Sequence, residues 1–550
     1  MFGLQRFHHG LAAFLVLMTS LIGVGSARAE WLRAETDHFV VYGDTSESSL
    51  RRYAGRIERF DALLRAYYPI KTEYEIPKLE IFMANGRRDM NSIAPGIDES
   101  IAGYYSPNSG RIYTVVNTRS PMGDVVAYHE YAHHFMFQMR SGAYPSWFIE
   151  GFAEYYSTTE ISGRQIKFGR HNPGRMNSLT SGANTWAKME DVLEWRTGSD
   201  GRYPAHQYYA QAWAMTHYFM STPERTQMLG RYLAAVANGE DSVVAMQAAT
   251  GRTAAQLQAD VWRYISGSIS VLTPQIEIVA PTVSISRLTK AEADAIWLDV
   301  RLDNEPVIQN TGEDDEDDDH KKDDAQQARD KREEIENRAE LIRSSLALAS
   351  EHGNDRVGAL LTARAQRLMG RPDLALAALT PLINDELADA DILRVAAMAL
   401  LDQVRTEQDP DASQALRRRA SAYLARAMDA DPLDFRIYLG LNDTRRGQAQ
   451  YPTPNDLSTL EVAYALAPQS FDTRLRLGEA YLARGMNAAA INVLTPVSNS
   501  PHGSGYKRQA RTMINQARAA EGQAAVNFQE EPKADEDSTT TSGDPGAGEG

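Results

Sequence analysis

Hydrophobic positions in the first part of the chain follow strand and helix spacings in turn. Residues 38–42 and 78–83 are short apolar runs with β-branched or aromatic side chains, which predict two strands. Between them, residues 46–67 place apolar side chains three and four positions apart, which predicts a helix. Residues 101–105 and 111–116 flank a Pro-Asn-Ser-Gly turn and predict a β-hairpin. The sequence therefore predicts a first domain of the α+β class.

The spacing becomes mainly helical after this hairpin. A helix is predicted from about residue 122 to residue 140, and helical periodicity dominates up to about residue 267. Residues 268–288 are rich in β-branched side chains and contain Pro274 and Pro281. This composition predicts either an extended connector or a small addition to a sheet.

The second half of the chain is rich in Ala, Leu and Arg at helical spacing, and short motifs recur in it. One motif follows the order of a helix–turn–helix repeat, and Gly370, Ala375 and Leu379 repeat part of it. Its residues are Leu477, Gly478, Tyr481, Gly485, Ala490, Leu494 and Pro496. The pattern resembles the tetratricopeptide-repeat family over about residues 339–522, and a generic Ala-rich helical bundle is the alternative. The resemblance implies an all-α domain that presents a surface to a protein partner.

Charge is distributed unevenly along the 550 residues. The net charge is −16, from 57 basic and 73 acidic side chains, which argues against nucleic acid as the main partner. Residues 313–324 and 530–550 carry 13 of the 16 excess negative charges. Runs of like charge with few apolar residues do not bury enough surface to fold. We therefore expect a disordered acidic insert at about 304–325 and a disordered tail at 523–550, and their spacing gives no support to calcium binding.

The first 29 residues have the features of a secretory signal. Arg6 precedes an apolar run over residues 11–24, and the Ala-Arg-Ala sequence at 27–29 fits a cleavage site. An uncleaved anchor is the alternative, but the run is shorter than the roughly 20 residues of a spanning helix. We expect an exported protein, periplasmic or secreted, with no membrane span after the signal is removed.

The sequence contains no cysteine, which restricts its metal chemistry. Disulfides, thiolate metal sites and Cys nucleophiles are excluded, so any metal must be bound by His and carboxylates. Residues 129–133 read His-Glu-Tyr-Ala-His. On a helix, His129 and His133 project from one face, one turn apart, and are able to share a metal. Glu130 then lies about 100° around the helix, within reach of a metal-bound water.

A second motif supplies further carboxylates. Residues 145–155 read Pro-Ser-Trp-Phe-Ile-Glu-Gly-Phe-Ala-Glu-Tyr and predict a loop that enters a helix. Glu150 completes a set of two His and one carboxylate, which leaves the fourth zinc position to water. Glu154, one turn later, is placed to accept a hydrogen bond from a ligand imidazole. A solvated helix face is the alternative, but the aromatic neighbours imply burial. We therefore predict one Zn²⁺ per chain.

These two motifs together resemble the gluzincin metallopeptidases, in particular the peptidase-MA-like, thermolysin-like bacterial group, over about residues 30–270. The resemblance implies zinc bound by His129, His133 and Glu150. It also implies that Glu130 is the general base and proton shuttle of peptide hydrolysis.

The same resemblance implies a zincin-like, two-lobed fold with the active helix behind a mixed sheet. An edge strand of that sheet binds the substrate backbone in the family, and residues 101–105 or 111–116 are the candidates. The spacing to Glu150 is slightly shorter than in the best-known members. No Gly-x-Met-Glu-Asn motif is present, which related aminopeptidases use to bind the substrate amine. This second difference favours an endopeptidase.

Peptide hydrolysis also requires a neutral hydrogen-bond donor for the oxyanion that develops on the substrate. Tyr209 is the first candidate, because it lies 59 residues after Glu150, in a region where related enzymes place a catalytic tyrosine. The further candidates are Tyr208, His206 and His217. Core packing is the alternative role for each of them. His134 is predicted to be a packed or solvent-facing neighbour of the motif and no ligand.

The sequence thus predicts an exported zinc metallopeptidase in which Glu130 activates a zinc-bound water, followed by helical repeats that recruit a protein partner or substrate. One alternative is an envelope interaction protein with a silent peptidase domain, and another is hydrolysis of a non-peptide amide or ester. Retention of Glu130 argues against a silent domain, since a structural zinc site needs no general base. The predicted order is a signal peptide (1–29), a peptidase domain (30–270), a connector with the acidic insert (271–338), helical repeats (339–522) and the acidic tail (523–550).

Overall fold

The computed structural model describes residues 31–526 except for a set of short stretches. These stretches are residues 71–74, 109, 140–141, 163–164, 182–185, 195–202, 270, 277, 306–323, 354, 384–387 and 502–503. The predicted signal peptide, nearly all of the acidic insert and most of the acidic tail lie outside the described residues.

A mixed β-sheet organises the first domain. The strands are β1 (Trp31–Glu35), β2 (Phe39–Asp44), β3 (Leu79–Ala84), β4 (Gly103–Pro107), β5 (Ile112–Asn117), β6 (Glu160–Ser162), β7 (Gln165–Lys167) and β8 (Ser284–Arg287). The order in the main sheet is β4-β5-β3-β2-β1-β8, and β6 pairs with β7 separately. Strands β2, β3 and β5 are parallel, whereas β4 pairs with β5 antiparallel. Strand β4 therefore forms one edge of the sheet.

Helices cover both faces of this sheet. They are α1 (Glu47–Tyr67), α2 (Arg87–Ile93), α3 (Gly123–Met139), α4 (Ser146–Ser157), α5 (Pro173–Ser181), α6 (Met189–Leu193), α7 (Ala205–Met220), α8 (Pro223–Ala237), α9 (Ser242–Thr250), α10 (Ala254–Ile265) and α11 (Lys290–Asn304). Buried residues of α1, α3, α4 and α7 belong to one continuous hydrophobic core with the sheet. A smaller core on Phe82 and Val115 packs α2 and α11 against the sheet. This layered arrangement is the expected way to bury both faces of parallel strands.

Within the described residues, the second domain contains helices and no strands. They are α12 (Asp324–His352), α13 (Arg356–Leu368), α14 (Pro372–Ile383), α15 (Ala390–Thr406), α16 (Pro410–Ala430), α17 (Phe435–Arg445), α18 (Pro454–Leu466), α19 (Phe471–Ala483), α20 (Asn487–Ser498) and α21 (Ser504–Ala520). We call α12 to α21 the helical array. Consecutive helices pack together, and α11, α13, α15 and α17 also contact one another in sequence. We call these four helices the alternate-helix layer.

Most of the elements predicted from hydrophobic spacing are confirmed. The predicted helix at 46–67 is α1, and its first turn is capped by Ser46, whose side chain accepts a hydrogen bond from the Ser49 N–H. The predicted hairpin is formed by β4 and β5. An α+β domain followed by an all-α region is therefore the observed order.

Two alternatives that the sequence left open are decided by the sheet. Within the predicted connector, β8 pairs antiparallel with β1, so part of this segment adds a strand to the sheet. Of the two candidate edge strands, the segment at 101–105 contains β4 and lies at the edge. The segment at 111–116 forms β5, which lies between β4 and β3. Over the residues described, no helix is both long and apolar enough to span a bilayer.

Candidate metal centre

Helix α3 carries the first two predicted ligands on one face. His129 and His133 lie one turn apart, and their Nε2 atoms are 3.1 Å from each other. The apolar and aromatic side chains between Ala127 and Phe137 are all buried, so the helix is packed on several sides. Such packing leaves the two imidazoles little freedom to move apart.

Helix α4 brings the predicted third ligand to the same point. The Glu150 side chain is fully buried, and its Oε2 atom lies 3.5 Å from Nε2 of His129 and 3.5 Å from Nε2 of His133. Three ligand atoms from two helices therefore converge within 4.8 Å of one another.

A glycine next to Glu150 allows α4 to approach α7 closely. A Cβ on Gly151 would lie 2.2 Å from Thr216 Oγ1 and 2.5 Å from the Ala212 carbonyl oxygen, and both of these residues belong to α7. Trp147, in the first turn of α4, is buried and donates its indole N–H to the Tyr232 hydroxyl at 2.8 Å. The position of Glu150 is thus determined by tight packing of its own helix.

The distances among the three ligand atoms fit a tetrahedral zinc ion. Zinc binds His nitrogen and carboxylate oxygen at about 2.0–2.2 Å, so two ligand atoms at a tetrahedral angle lie about 3.3 Å apart. The observed separations of 3.1, 3.5 and 3.5 Å lie close to this value. Two imidazoles and one carboxylate are also a donor set that zinc accepts, with a fourth position open.

The electrostatic environment of these residues favours a cation. Burial alone would lower the pKa of His129, but hydrogen bonding to Glu150 and the charges of Glu154 and Glu130 raise it to about 9. Carboxylates therefore outweigh the desolvation of a positive charge at this point.

Glu154 faces the far side of the His129 imidazole, but its hydrogen bond is formed with Arg175 and not with the imidazole. Its Oε1 atom is 3.6 Å from Nδ1 of His129 and accepts a hydrogen bond from Arg175 at 2.7 Å. Arg175, on α5, was not predicted, because the sequence around it has no motif that relates it to α4. Its guanidinium group also lies 5.2 Å from the centre of the Tyr209 ring. Arg175 therefore connects Glu154 to the face of α7 that carries the tyrosine.

Tyr209 and Glu130 lie near the predicted metal ligands. Burial raises the pKa of Tyr209, and the negative charges of Glu150, Glu154 and Glu130 raise it further, so its hydroxyl keeps its proton at neutral pH. Glu130 is half-buried on α3. The structure thus places a carboxylate and a neutral hydrogen-bond donor near the three ligands.

The other candidates for an oxyanion donor lie elsewhere. Tyr208 is buried in the main core. The ring nitrogens of His217 lie 2.7 Å from the Tyr264 hydroxyl and 2.7 Å from the Gly169 carbonyl oxygen, so this histidine is part of a packed network. His206 is exposed at the start of α7. Tyr209 is therefore the candidate with the best support.

His134 is packed and is not grouped with the metal ligands. Burial, with a smaller effect from Arg65, lowers its pKa to about 3, and its Nδ1 atom lies 3.0 Å from the Tyr105 hydroxyl. This distance is that of a hydrogen bond between the Tyr105 hydroxyl and the neutral His134 imidazole. Tyr105 belongs to β4, and this contact joins the edge strand to helix α3.

A second cluster of His and carboxylates was not predicted. Nδ1 of His38 lies 2.5 Å from Glu58 and 3.2 Å from Asp61, and Asp61 is also bound by Arg65 at 2.5 Å. The Tyr131 hydroxyl of α3 donates to Asp61 as well. Since an arginine and a tyrosine already satisfy the buried carboxylate, we interpret this cluster as a support that joins α1 to α3.

The charged partners in this cluster predict a pH-dependent stability. Burial opposes a charge on His38, but its hydrogen bond to Glu58 and the charge of Asp61 raise its pKa above 6.5. Burial alone would raise the pKa of Glu58, because it disfavours the charged carboxylate. The hydrogen bond from His38 opposes burial and keeps the Glu58 pKa below 4.5. The stability from His38 is complete below pH 6.5 and lost as the pH rises through its folded pKa. The stability that Glu58 contributes is present above pH 4.5 and is lost as the pH falls through its folded pKa.

We therefore expect the free energy of unfolding of wild type to exceed that of His38→Gln most between about pH 4.5 and 6.5. Urea unfolding at a series of pH values measures this difference. A difference that stays constant from pH 5 to pH 9 would contradict a charged His38 in the folded protein. His171→Gln, which changes another histidine of the first domain, is the control.

Comparison with known proteins gives a match for only one part of the chain. A family model described as a protein of unknown function (DUF1570) matches residues 125–239. The match contains both metal-ligand helices, apart from the first two residues of α3, as well as Arg175 and Tyr209. No curated protein and no solved structure matches the chain. The chain is therefore similar to this family over the stretch that carries the candidate site.

Proposed function

We propose that this chain is a zinc-dependent metallopeptidase, with endopeptidase activity, of the gluzincin type. The observation that carries the proposal is the convergence of His129, His133 and Glu150 within 4.8 Å, with Glu130 on the same helix as the two histidines. A structural metal site has no use for a second carboxylate of this kind beside the ligand Glu150, whereas hydrolysis needs a general base.

In this proposal, the metal ligands, Glu130 and Tyr209 have separate roles in hydrolysis. Zinc held by His129, His133 and Glu150 would supply Lewis acidity and lower the pKa of water towards 7. Glu130 takes the proton of the attacking water and transfers it to the leaving amine. Tyr209, which stays protonated at neutral pH, donates a hydrogen bond to the developing oxyanion.

Strand β4 supports the choice of a peptide as substrate. It lies at the edge of the sheet, and its Tyr105 side chain contacts helix α3 directly. An edge strand presents backbone N–H and C=O groups that form hydrogen bonds with an extended peptide chain. Amides and esters without a peptide backbone do not form this set of hydrogen bonds. An unfolded protein or long peptide is therefore the proposed substrate class.

Export, the two-lobed fold, and recruitment of a protein partner by tetratricopeptide-like repeats also belong to this proposal. The signal, the acidic insert and the tail rest on the sequence alone. The helical array supports the proposal of repeats through its packed consecutive helices and contacting alternate helices.

Removal and return of the metal tests the proposed function. We expect a chelator-treated protein to lose cleavage of an unfolded protein substrate and to regain it with one equivalent of Zn²⁺ per chain. Mass spectrometry of the products identifies internal cuts, which distinguish an endopeptidase from an aminopeptidase. Full zinc occupancy without cleavage would favour the silent-domain alternative. Cleavage that persists without metal would exclude the proposed mechanism.

A further inference from the structure

The helical array contacts three elements of the candidate site at once. These elements are the β4–β5 hairpin (residues 103–117), the end of α3 and the start of α4. The hairpin carries the edge strand, α3 carries two metal ligands, and α4 carries the third. A domain that only recruits partners has no reason to contact all three.

The tip of the hairpin reaches the alternate-helix layer. The Gly110 carbonyl oxygen accepts a hydrogen bond from Arg436 of α17 at 3.0 Å. A Cβ on Gly110 would lie 1.8 Å from the carbonyl oxygen of Asp303 in α11, a backbone atom that has little room to move. Ile112, the first residue of β5, packs against the core of the array that includes Phe435. The hairpin thus fits the layer so closely that only glycine is accommodated at position 110.

Buried charges hold this junction together. The Asp303 carboxylate lies 3.7 Å from Arg111 of the hairpin, and 3.3, 3.4 and 3.2 Å from Arg364, Arg394 and Arg436, on α13, α15 and α17. Its side chain is only 6% exposed. Burial opposes its charge, but the arginines outweigh burial and lower the pKa of Asp303. A buried carboxylate with several arginines resists separation, because separation would leave charges without partners.

The ends of both ligand helices are also held by the array. The Gln138 side chain, near the end of α3, donates to the Leu466 carbonyl oxygen at 3.2 Å. The Ser146 hydroxyl, at the start of α4, donates to the Asn499 carbonyl oxygen at 2.6 Å. Gln138 lies five residues after His133, and Ser146 lies four residues before Glu150.

A further residue of the array faces the end of α3. Gln469, buried between α18 and α19, lines one cavity together with Gln138 and His134 of α3. The Nδ1 atom of His134 in turn lies 3.0 Å from the Tyr105 hydroxyl of β4. The array thus reaches the helix against which the edge strand packs.

We propose that the helical array positions the substrate-binding edge strand against the ligand helices and is an integral part of the catalytic unit. Gly110 and Arg436 are positioning residues in this arrangement, which rests on the proposed peptidase function. The surface of α17 and α11 that contacts the hairpin is occupied by this chain itself. A partner recruited by the array uses a different surface or displaces the hairpin.

Gly110→Ala tests this proposal, because the added methyl group has to push the hairpin away from α11 and thereby breaks the hydrogen bond between Gly110 and Arg436 of the array. We expect zinc stoichiometry to stay at that of wild type and amide hydrogen exchange over residues 103–117 to become faster. We expect kcat/KM on an unfolded protein substrate to fall about 100-fold, mostly through KM, since misplacement of β4 weakens substrate pairing. Gly230→Ala on α8, where a Cβ meets nothing within 4 Å, is the matched control.

Arg436→Lys provides a milder variant if Gly110→Ala does not fold. It keeps a positive charge beside Asp303 and Asp434 but removes the guanidinium group that donates to the Gly110 carbonyl oxygen, and KM is again expected to rise. Folded, zinc-loaded variants with wild-type exchange or wild-type kcat/KM would overturn the positioning role. Wild-type protein that binds zinc but cleaves nothing refutes the proposed function itself, and the positioning role with it. The two failures are therefore distinguishable.

Discussion

The Glu130→Gln variant is expected to lose peptide hydrolysis while it keeps its zinc. The substitution preserves the size and shape of the side chain but removes the group that takes a proton from water. The three metal ligands are other residues, on α3 and α4, so their convergence is unaffected. A positioned general base contributes about 10²–10⁴-fold to a rate, and we expect a loss in this range in kcat.

The measurement is kcat on an unfolded protein substrate, made together with zinc analysis of the same sample. Asp124→Asn is the matched control, because Asp124 lies on the same helix, half-exposed, in the first turn. Its activity is expected to equal that of wild type. Retained turnover in Glu130→Gln would refute Glu130 as the base, and loss of zinc in this variant would refute the assignment of ligands.

The parts of this site that lie close together in sequence were predictable. Two histidines four residues apart on a helix must face the same side, so their shared position follows from helix geometry. Glu150 was predictable because Trp147 and Phe152 surround it with bulky apolar residues, which indicate burial of a carboxylate. The structure brings all three to one point from two helices that are neighbours in the sequence.

Contacts between distant segments were not predictable. Arg175 meets Glu154 because α4 and α5 both pack on α7, and no spacing in a sequence encodes this contact. The contacts of His38 were not predictable either, since its two carboxylate partners lie on a separate helix. Periodicity indicates which face of an element is apolar, but it does not identify the element that covers it.

The contacts at the junction between the domains were not predictable from the sequence either. Charged residues such as Arg364, Arg394 and Asp303 interrupt the apolar pattern and are typical of a solvated surface in a sequence. In the structure they are buried together as ion pairs. The sequence therefore predicted the helices of the array from their spacing, but not the face with which the array contacts the first domain.

Zinc binding is expected to depend strongly on Glu150 and only weakly on Glu154, although both carboxylates lie on the same helix. Glu150→Gln replaces a charged ligand by a neutral amide at the point where both His Nε2 atoms lie 3.5 Å away. We expect this variant to lose stoichiometric zinc. Glu154→Gln leaves all three ligands in place and changes only the group behind His129, at 3.6 Å from its Nδ1. Loss of such a supporting group weakens metal affinity by about 10–100-fold, so this variant keeps zinc at saturation.

The two variants are a matched pair, because both change one buried Glu of α4 to Gln and differ by a single helical turn. Metal analysis after dialysis gives the stoichiometry, and competition with a chelating indicator gives the affinity. Glu154→Gln also leaves Arg175 without its carboxylate, so thermal unfolding of both apo-proteins is measured to separate a loss of stability from a loss of metal. Equal zinc content and equal affinity in the two variants would show that Glu150 is not a ligand. Loss of zinc in Glu154→Gln alone would assign the third ligand to Glu154, because that carboxylate also faces His129.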